Sequence, residues 1–294
     1  MRRASESFIA VDWGTTNRRA YLIENGAVTR THRRQEGVSI SSRTTYAGQV
    51  AAIRDELGNH PMLLAGMIGS NIGWHQAGYA QCPADIASIS SQLLHVDSQT
   101  AIVPGVATNL HGHVDVMRGE EVQLLGAPAA GLTPDSGLFC QPGTHSKWAK
   151  IQAGRIVDFS TSMTGELFAL LRTHSLLAAH LKSPTHADDG FHCGLKRAER
   201  MDLTCALFEI RAAAAVRKDD RDGDASSYAS GLLIGSEVSV CLRGAADRRV
   251  YLLSDQTLAP LYAAALEHHG REVVHIDSQH AFVAGSLAIY EQWQ

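Results

Sequence analysis

The sequence has little of what marks several large classes of protein. Its 294 residues carry a formal net charge of -4, so no basic footprint for nucleic acid is expected. No apolar run approaches the length of about 20 residues that a membrane-spanning helix needs. The apolar stretch that begins at Phe8 stops at Asp12, which is too early for the apolar region of a secretory signal. We therefore expect neither a nucleic-acid partner nor a membrane partner.

Cysteine is also scarce, since only five residues of this type occur. They are odd in number, widely spaced and without any CxxC pair, which argues against a disulfide framework and against a cysteine zinc site. We interpret them as reduced thiols in a cytoplasmic protein. Hydrophobic residues make up 45% of the chain, and its length suits two domains of ordinary size.

A polar turn near the N-terminus stands out from its surroundings. Residues 12–17 read Asp-Trp-Gly-Thr-Thr-Asn and lie between two apolar runs, 8–11 and 20–23, that predict β-strands. The familiar phosphate loop instead joins a strand to a helix and carries a lysine after its glycines, and no such lysine is present. A carboxylate at a strand end can hold hydrated Mg²⁺, and a Gly-Thr-Thr turn can bind phosphate oxygens. The same residue types also form ordinary hairpin turns, so both interpretations stay open.

The layout of this region is repeated later in the chain. Residues 142–148 read Pro-Gly-Thr-His-Ser-Lys-Trp and lie between the predicted strands 137–140 and 149–152. A small turn and a third predicted strand, 155–159, follow. Two units of strand, Gly-Thr turn, strand, turn and strand predict duplicated domains, each of which offers one phosphate-binding hairpin.

A glycine-rich segment follows the predicted strand 61–65. Residues 66–74 contain three glycines around Ser70 and Asn71 and end at Trp74. Such a backbone can approach a small ligand closely, and Trp74 could form one wall of its site. The alternative is a glycine-rich turn with a packed tryptophan.

Charged residues cluster just before a predicted helix. Glu120 and Glu121 fall in its first turn, where acidic residues are common because they interact favourably with the helix dipole. A sharper interpretation is a general base at the helix start, with Arg118 nearby to bind an anionic substrate. Upstream, His111 and His113 have the spacing of zinc ligands, but a further histidine is missing and we favour a polar loop over residues 111–115.

The C-terminal half contains several predicted helices. One helix is predicted from residue 164 to about 177, with a continuation through 182, and another over 201–218, whereas residues 188–200 are polar and contain glycine. A buried helix is predicted over 228–243, in which Gly231 and Gly235 indicate close packing against another helix. The strand-to-helix turn at 254–257 would expose N–H groups to a nucleotide.

Six segments together resemble the 2-dehydro-3-deoxygalactonokinase family of sugar-acid kinases. They are residues 9–17, 65–74, 116–121, 142–148, 163–167 and 230–238, in the family order and over nearly the whole chain. The resemblance implies an α/β fold of two actin-like (ribonuclease H-like) ATPase domains with a cleft between them. Residues 1–136 would carry the substrate loop and residues 137–294 the nucleotide site. The chain departs from the pattern at 254–256, where actin-like kinases usually have a glycine-rich adenosine loop.

The resemblance implies ATP-dependent phosphorylation of 2-dehydro-3-deoxy-D-galactonate at its 6-hydroxyl, in galactonate catabolism, with ATP and Mg²⁺ required. Asp12 would be catalytic and would hold Mg²⁺ through water. The base for the attacking hydroxyl would be Glu121 or Glu120. ATP and its phosphates would be bound by Gly14, Thr15, Thr16, Gly143, Thr144, His145, Ser146, Lys147 and Ser254. The sugar acid would be bound by Asn17, Arg18, Ser70, Asn71, Trp74 and Arg118.

Four other functions are compatible with parts of this pattern. They are a non-catalytic sugar-acid sensor of the same fold, a kinase for a related 2-keto-3-deoxy sugar acid such as the gluconate-derived epimer, a phosphatase-like hydrolase, and a zinc hydrolase built on His111 and His113. The presence of Asp12, Glu121 and Thr144 argues against the sensor. A homodimer is the default expectation for the assembly.

Overall fold

A computed structural model describes residues 7–41, 44–110, 112–217 and 222–293. The chain divides into two compact units, unit 1 comprising Met1–Ser136, Ala149–Phe159 and Asp277–Gln294, and unit 2 comprising Gly137–Trp148 and Ser160–Ile276. The functional division into 1–136 and 137–294 stays a prediction. Within the described ranges, no helix is both long enough and apolar enough to cross a membrane. The cysteines at 82, 140, 193, 205 and 241 are all free.

Strands and helices are mixed along the chain, in groups of one to four. The strands are β1 (Phe8–Trp13), β2 (Arg18–Glu24), β3 (Ala27–Arg34), β4 (Met62–Gly66), β5 (Tyr79–Gln81), β6 (Leu94–Asp97), β7 (Thr100–Ile102), β8 (Gly105–Leu110), β9 (His113–Met117), β10 (Gly137–Gln141), β11 (Ser146–Gln152), β12 (Arg155–Ser162), β13 (Arg249–Leu253) and β14 (Glu272–Ile276). The helices are α1 (Tyr46–Leu57), α2 (Ile86–Ser90), α3 (Glu120–Ala129), α4 (Thr164–His174), α5 (Asp189–Ala198), α6 (Leu203–Arg217), α7 (Asp222–Cys241), α8 (Ala259–His268) and α9 (Ser278–Trp293).

Unit 1 is built on a six-stranded sheet in the order β3-β2-β1-β4-β7-β6. Its central strand β1 is apolar on both faces because a helix covers each of them. On one face Trp13 packs in a cluster with the α1 residues Tyr46 and Val50. On the other face, the ring of Phe8 stacks on Tyr290 of α9 at 4.1 Å between centroids.

Helices α3 and α9 of unit 1 pack closely through glycine. A Cβ atom at Gly126 would lie 1.9 Å from the carbonyl oxygen of Ala281, and one at Gly285 would lie 2.0 Å from that of Val122. Real Cβ atoms do not approach backbone oxygens this closely. Only glycine at both positions allows α9 to approach α3 at this distance.

The main sheet of unit 2 repeats the order of unit 1. Its strands run β12-β11-β10-β13-β14, which corresponds to β3-β2-β1-β4-β7 in the first sheet. The strands β10, β13 and β14 are parallel, as are β1, β4 and β7. The duplication predicted from the two Gly-Thr turns is therefore confirmed.

The predicted close packing of the helix around Gly231 is also confirmed. A Cβ atom at Gly231 on α7 would lie 2.2 Å from the carbonyl oxygen of Phe191 on α5, and one at Gly194 would lie 2.3 Å from that of Tyr228. The two helices approach until their backbones touch. The side chains of Phe191 and Leu195 are buried in the core of unit 2.

Three local predictions were wrong. Residues 189–198, described from sequence as a polar segment, form α5, since Asp188 caps it by accepting from the Phe191 N–H at 3.0 Å. Helix α4 ends at His174 and does not continue through 182, because Ser175 is extended, with φ -100° and ψ 167°. The expected polar loop over 111–115 overlaps β9, which pairs with β8 in an antiparallel hairpin.

Candidate active site

The carboxylate of Asp12 lies at the carboxyl end of β1, as predicted. Asp12 is opposite Arg19 on the antiparallel strand β2 and beside Ala65 on the parallel strand β4. One of its oxygens accepts a long hydrogen bond of 3.5 Å from Arg19 Nη1. The side chain retains 23% of its exposure, so it remains accessible to a ligand while most of its hydration is lost.

The surroundings of Asp12 raise the pKa of its carboxyl group. Burial is the largest cause, the nearby Glu120 carboxylate acts in the same direction, and Arg19 opposes both. The carboxylates of Asp12 and Glu120 therefore repel each other in a partly desolvated site, and the long hydrogen bond from Arg19 compensates only weakly. A cation bound there would relieve both the repulsion and the desolvation.

Glycine allows three backbone segments to converge beside Asp12. Gly66, at the end of β4, has φ +94°, and a Cβ atom there would lie 2.7 Å from the carbonyl oxygen of Trp13. Gly119, just before α3, has φ +109°, and its Cβ would lie 3.0 Å from the Cα of Gly66. The start of α3 is thereby brought to the same sheet edge as the Asp12 strand.

The two glutamates at the start of α3 have different environments. Glu120 is half-buried and accepts from the Arg118 N–H at 3.0 Å. Glu121 is fully buried and accepts from the Gly119 N–H at 2.6 Å. Burial, with a smaller contribution from Glu120, raises the pKa of Glu121 from 4.5 to about 8. Glu121 therefore holds a proton at neutral pH, whereas Glu120 is the glutamate that is electrostatically coupled to Asp12.

Arg118 is buried close to this sheet edge. Its Nη2 donates to the carbonyl oxygens of Ala77 at 2.8 Å and Gly78 at 3.2 Å, and its guanidinium lies over the Tyr79 ring at 4.4 Å. Its Nε and Nη1 have no hydrogen-bond partner within the part of the chain that the structure describes. Two donors of a desolvated cation are thus buried without a partner among the described residues, and an anion that reached them would satisfy both.

Arg18, the other predicted carboxylate ligand, lies on the opposite face of the sheet from Asp12. It is opposite Trp13 in the β1–β2 register, and side chains alternate between faces along a strand. Its guanidinium is 4.8 Å from the Trp13 ring and forms an ion pair of 2.8 Å with Glu36. It also donates to Gln49 at 3.3 Å. These contacts give Arg18 a structural role at the α1 face.

The turn between β1 and β2 is supported from one side by the backbone of residues 37–39. The N–H of Gly14 donates to the carbonyl oxygen of Asn17 at 2.9 Å, while the N–H of Ser39 donates to that of Thr15 at 3.0 Å. A Cβ atom at Gly37 would lie 2.2 Å from the Thr15 oxygen, so this support also requires glycine. The side chains of Thr15, Thr16 and Asn17 are exposed, as phosphate or substrate ligands would have to be.

The glycine-rich segment 66–74 divides into a packed part and an exposed part. Ser70 is buried and donates its hydroxyl to the carbonyl oxygen of Met67 at 2.7 Å. Trp74 packs against the cluster that contains Trp13, and it borders a cavity of about 370 Å³ beside α1. Asn71 is exposed. Trp74 is therefore a packed side chain that also borders a cavity, and its role as a wall of a ligand site stays a prediction.

The second Gly-Thr turn lies between β10 and β11 in unit 2. Thr144 and His145 are exposed, and His145 Nε2 is 2.6 Å from the Glu166 carboxylate. The start of α4 rests on this turn, because the Glu166 N–H donates to the Thr144 carbonyl oxygen at 3.0 Å. A Cβ atom at Gly165 would lie 2.4 Å from the carbonyl oxygen of Gly143.

Ser146 and Lys147, also predicted phosphate ligands, are buried. The hydroxyl of Ser146 is 2.7 Å from that of Tyr262, and Lys147 Nζ donates to the hydroxyl of Thr161 at 2.8 Å. Both side chains are thus engaged within unit 2. The exposed polar groups of this turn are those of Thr144 and His145.

A cavity of about 230 Å³ opens beside the second turn, wholly within unit 2. Five apolar side chains and five side chains with a hydroxyl group line it, together with two glycines. Its lining residues are Gly143, Thr144, Thr164, Gly165, Phe168, Thr185, Ser230, Leu233, Ile234, Leu258, Leu261 and Tyr262. Sequence reasoning missed most of this wall, although the spacing of Ser230 with Leu233 and of Leu258 with Leu261 places each pair on one helix face.

The turn at 254–257 differs from the prediction. The carboxylate of Asp255 accepts from the N–H groups of Thr257 at 2.9 Å and Leu258 at 3.0 Å. These N–H groups are therefore used within the turn. The Ser254 hydroxyl donates to the carbonyl oxygen of Asp255 at 3.3 Å, so the turn meets the cavity through Leu258 and not through free amides.

A zinc site was the remotest of the sequence hypotheses. His111 lies outside the described residues. Among the residues that the structure does describe, no group of three or more His, Cys, Asp or Glu side chains could hold a metal ion. His113 is 3.6 Å from Asp115, and both lie on β9.

Known proteins of one family match this chain over nearly its whole length. A family model described as 2-keto-3-deoxy-galactonokinase matches residues 12–289. The 2-dehydro-3-deoxygalactonokinase of Escherichia coli (strain K12) is 36% identical over 286 residues, which cover 96% of this chain and 97% of that protein.

Two solved structures are similar to the chain. A protein from Sinorhizobium meliloti, described as a candidate 2-dehydro-3-deoxygalactonokinase, has a TM-score of 0.87 and 37% identity over 96% of this chain and 95% of its own. The activator of 2-hydroxyisocaproyl-CoA dehydratase from Clostridium difficile, solved with bound ADPNP, has a TM-score of 0.53 and 12% identity over 98% and 94%. The latter shows a shared fold alone, and the α/β actin-like ATPase fold expected from sequence is confirmed.

Proposed function

Because the chain belongs to the 2-keto-3-deoxy-galactonokinase family, we propose that it transfers the γ-phosphoryl group of ATP to the 6-hydroxyl of 2-dehydro-3-deoxy-D-galactonate. The products are the 6-phosphate and ADP, and the reaction belongs to galactonate catabolism. The observation that carries this function is the position of Gly143 and Thr144, which border the 230 Å³ cavity of unit 2. An apolar chamber next to a Gly-Thr turn suits a nucleoside with its phosphates at the turn.

In this proposal the nucleoside occupies the unit 2 cavity. Phe168, Leu258 and Leu261 offer apolar surface to the base, while Thr185 and Ser230 offer hydroxyl groups to its polar edge or to the ribose. The exposed groups of Thr144 and His145 bind phosphate oxygens, assisted by backbone N–H groups. Thr15 and Thr16 of the first turn are the corresponding phosphate ligands from unit 1.

Asp12 would hold Mg²⁺ through water. Its raised pKa, the coupled carboxylate of Glu120 and the single long bond to Arg19 fit a hard cation, which prefers carboxylate and water oxygens. When bound, Mg²⁺ neutralises the charge that develops on the phosphate oxygens during transfer. Asp12 would orient that hydrated ion, because its carboxylate is fixed at the end of β1.

Glu120 is the general base in this proposal. Its half-buried carboxylate faces the same sheet edge as Asp12, and it would accept the proton of the attacking hydroxyl as the new O–P bond forms. Glu121 is less suitable, since it is fully buried and holds its proton at neutral pH. Its contact with the Gly119 N–H indicates that it fixes the start of α3.

Arg118 would bind the carboxylate of the sugar acid. Its Nε and Nη1, which lack a partner within the described ranges, are already desolvated, and its Nη2 is fixed by two carbonyl oxygens. A carboxylate would satisfy the buried charge, which makes binding of an acidic substrate favourable. The exposed Asn17 and Asn71 are the candidates for contacts to the sugar hydroxyls.

The free cysteines support the cytoplasm as the place of the reaction.

The test is a coupled assay of ADP release with ATP, Mg²⁺ and either 2-dehydro-3-deoxygalactonate or its gluconate-derived epimer. We expect turnover with the galacto compound at a kcat/KM well above that of the epimer, and loss of turnover when EDTA removes the metal. Preference for the epimer would change the assigned substrate. Binding of both ATP and the sugar acid without any ADP release would refute the kinase and favour a sensor.

A further inference from the structure

We infer that Glu237 is a positioning residue that fixes the second Gly-Thr turn against the nucleoside cavity. The inference rests on the proposed function for the identity of the ligand, a nucleoside triphosphate. It concerns a buried side chain that neither lines the cavity nor lies in the turn. Its effect on nucleotide binding would be transmitted through Tyr262, Ser146 and Trp148.

Glu237 accepts hydrogen bonds from two different elements. It lies on α7 and is 6% exposed. One carboxylate oxygen accepts from Trp148 Nε1 at 2.7 Å, and the other accepts from the Tyr262 hydroxyl at 2.8 Å. Trp148 belongs to β11, directly after the turn, whereas Tyr262 belongs to α8 and lines the cavity.

The second of these bonds continues to the turn itself. The Tyr262 hydroxyl is also 2.7 Å from that of Ser146, the first residue of β11. A tyrosine hydroxyl has a single hydrogen, and a carboxylate can only accept. Tyr262 therefore donates to Glu237, and Ser146 donates to Tyr262. The carboxylate fixes the direction of both bonds and holds the end of the turn inward.

A third element reaches the same carboxyl group. Burial raises the pKa of Glu237, and hydrogen bonding of its carboxyl group to the side chain of Thr164, at the start of α4, acts in the opposite direction. Thr164 and Gly165 line the cavity, and Gly165 packs against the Gly143 carbonyl oxygen. One buried side chain thus links β11, α4 and α8, the three elements that surround the turn and part of the cavity wall.

Positioning of the turn and general stabilisation of the core predict different effects when this network is substituted. Buried polar networks are expensive when incomplete, so any variant loses some stability. Only positioning predicts a loss that is specific for the nucleotide. The relevant comparison is therefore between the KM for ATP and the KM for the sugar acid in one folded variant.

The experiment uses Tyr262→Phe and Glu237→Gln in the full chain, with Tyr228→Phe as a matched control. Tyr228 also lies in unit 2 and donates its hydroxyl to a glutamate, Glu209, at 3.2 Å, but it does not line the cavity. We expect Tyr262→Phe to raise the KM and the Kd for ATP about tenfold, since it breaks the bond to the carboxylate and the one to Ser146. The KM for the sugar acid and all constants of Tyr228→Phe should change less than about twofold, which is within ordinary mutational variation.

Nucleotide binding is also measured directly, by calorimetry with ADP, so that the inference does not depend on turnover. If the wild-type chain binds ADP but phosphorylates neither sugar acid, the proposed function fails while the comparison of Kd values still tests Glu237. Should Glu237→Gln fail to fold, Trp148→Phe replaces it, because Trp148 donates to Glu237 but does not line the cavity, whereas Tyr262 does. An unchanged Kd for ADP in folded Tyr262→Phe, or equal increases in both KM values, would overturn the inference.

Discussion

Adjacent glutamates on one helix can differ in chemistry because successive side chains are turned by about 100° around the axis. Glu120 is oriented toward the Asp12 end of the sheet, and Glu121 is oriented into the core of unit 1. Both side chains accept an N–H at the start of α3, so both also stabilise that helix end. The contributions of Glu120 and Glu121 to catalysis should nevertheless differ.

At this scale the first prediction concerns the base. Glu120→Gln keeps the size of the side chain and an acceptor for the Arg118 N–H, but it cannot take up the proton of the sugar hydroxyl. We expect kcat to fall at least about 100-fold while the Kd for ATP is retained. In Glu121→Gln, kcat should fall less than about tenfold. Steady-state kinetics with parallel calorimetry checks both, and the reverse order of the two effects would assign the base to Glu121.

The second prediction concerns the pH dependence of stability. Since the pKa of Glu121 is raised from 4.5 to about 8, the folded chain keeps a proton that the unfolded chain loses between these pH values. Stability from this group is complete below pH 4.5 and decreases as the pH rises toward 8. Glu121→Gln should therefore flatten the decrease between pH 5 and 8 by about 1 kcal/mol or more.

Urea unfolding at pH 5 and pH 8 measures this difference. Glu267→Gln is a suitable control, because Glu267 is an exposed glutamate on α8. Glu267→Gln removes an exposed carboxylate and leaves the buried carboxyl group of Glu121 in place. A wild-type slope that Glu121→Gln leaves unchanged would mean that Glu121 is ionised in the folded chain.

At the scale of elements, helix packing in unit 2 depends on the missing side chain of Gly231. A Cβ atom there would lie 2.2 Å from the Phe191 carbonyl oxygen, so Gly231→Ala must push α5 away from α7. We expect a loss of about 2 kcal/mol or more in the free energy of unfolding.

Gly48 on α1 is the matched control, since a Cβ atom there would meet nothing within 4 Å. Gly48→Ala should stabilise the chain by about 0.5–1 kcal/mol, because alanine loses less conformational entropy in a helix. Thermal or urea unfolding of both variants measures the difference. Equal effects of the two substitutions would show that α5 and α7 tolerate separation.

The elements differ in how well the sequence predicts them. Both Gly-Thr hairpins were predictable because their turns lie between short apolar runs, and their repetition predicted the duplicated sheets. Helix α5 was missed because its apolar residues Phe191 and Leu195 are few and its packing surface consists of backbone at Gly194. The cavity wall was missed because it is assembled from α4, α7 and α8, which are distant in sequence.

At the scale of the whole molecule, the residues with proposed roles are divided between the two units, each considered by itself. Nucleotide contacts are concentrated in unit 2, and Asp12, Glu120 and Arg118 are in unit 1. Binding of ADP without the sugar acid should therefore slow amide hydrogen exchange around residues 143–146, 164–168, 230–234 and 258–262. Mass spectrometry of exchanged peptides checks this, with α1 as an internal control. Protection confined to α1 would place the nucleotide at the 370 Å³ cavity beside Trp74.

The packing of α9 has a consequence for the order in which the chain can fold during synthesis. Residues 8–13 are translated long before α9, yet the face of β1 that carries Phe8 is covered by Tyr290 of α9. Every residue of unit 2 is translated between these two segments, so folding of unit 2 can begin while β1 still lacks its partner. Until α9 emerges, β1 keeps an apolar face exposed, which makes this strand prone to aggregation in the nascent chain.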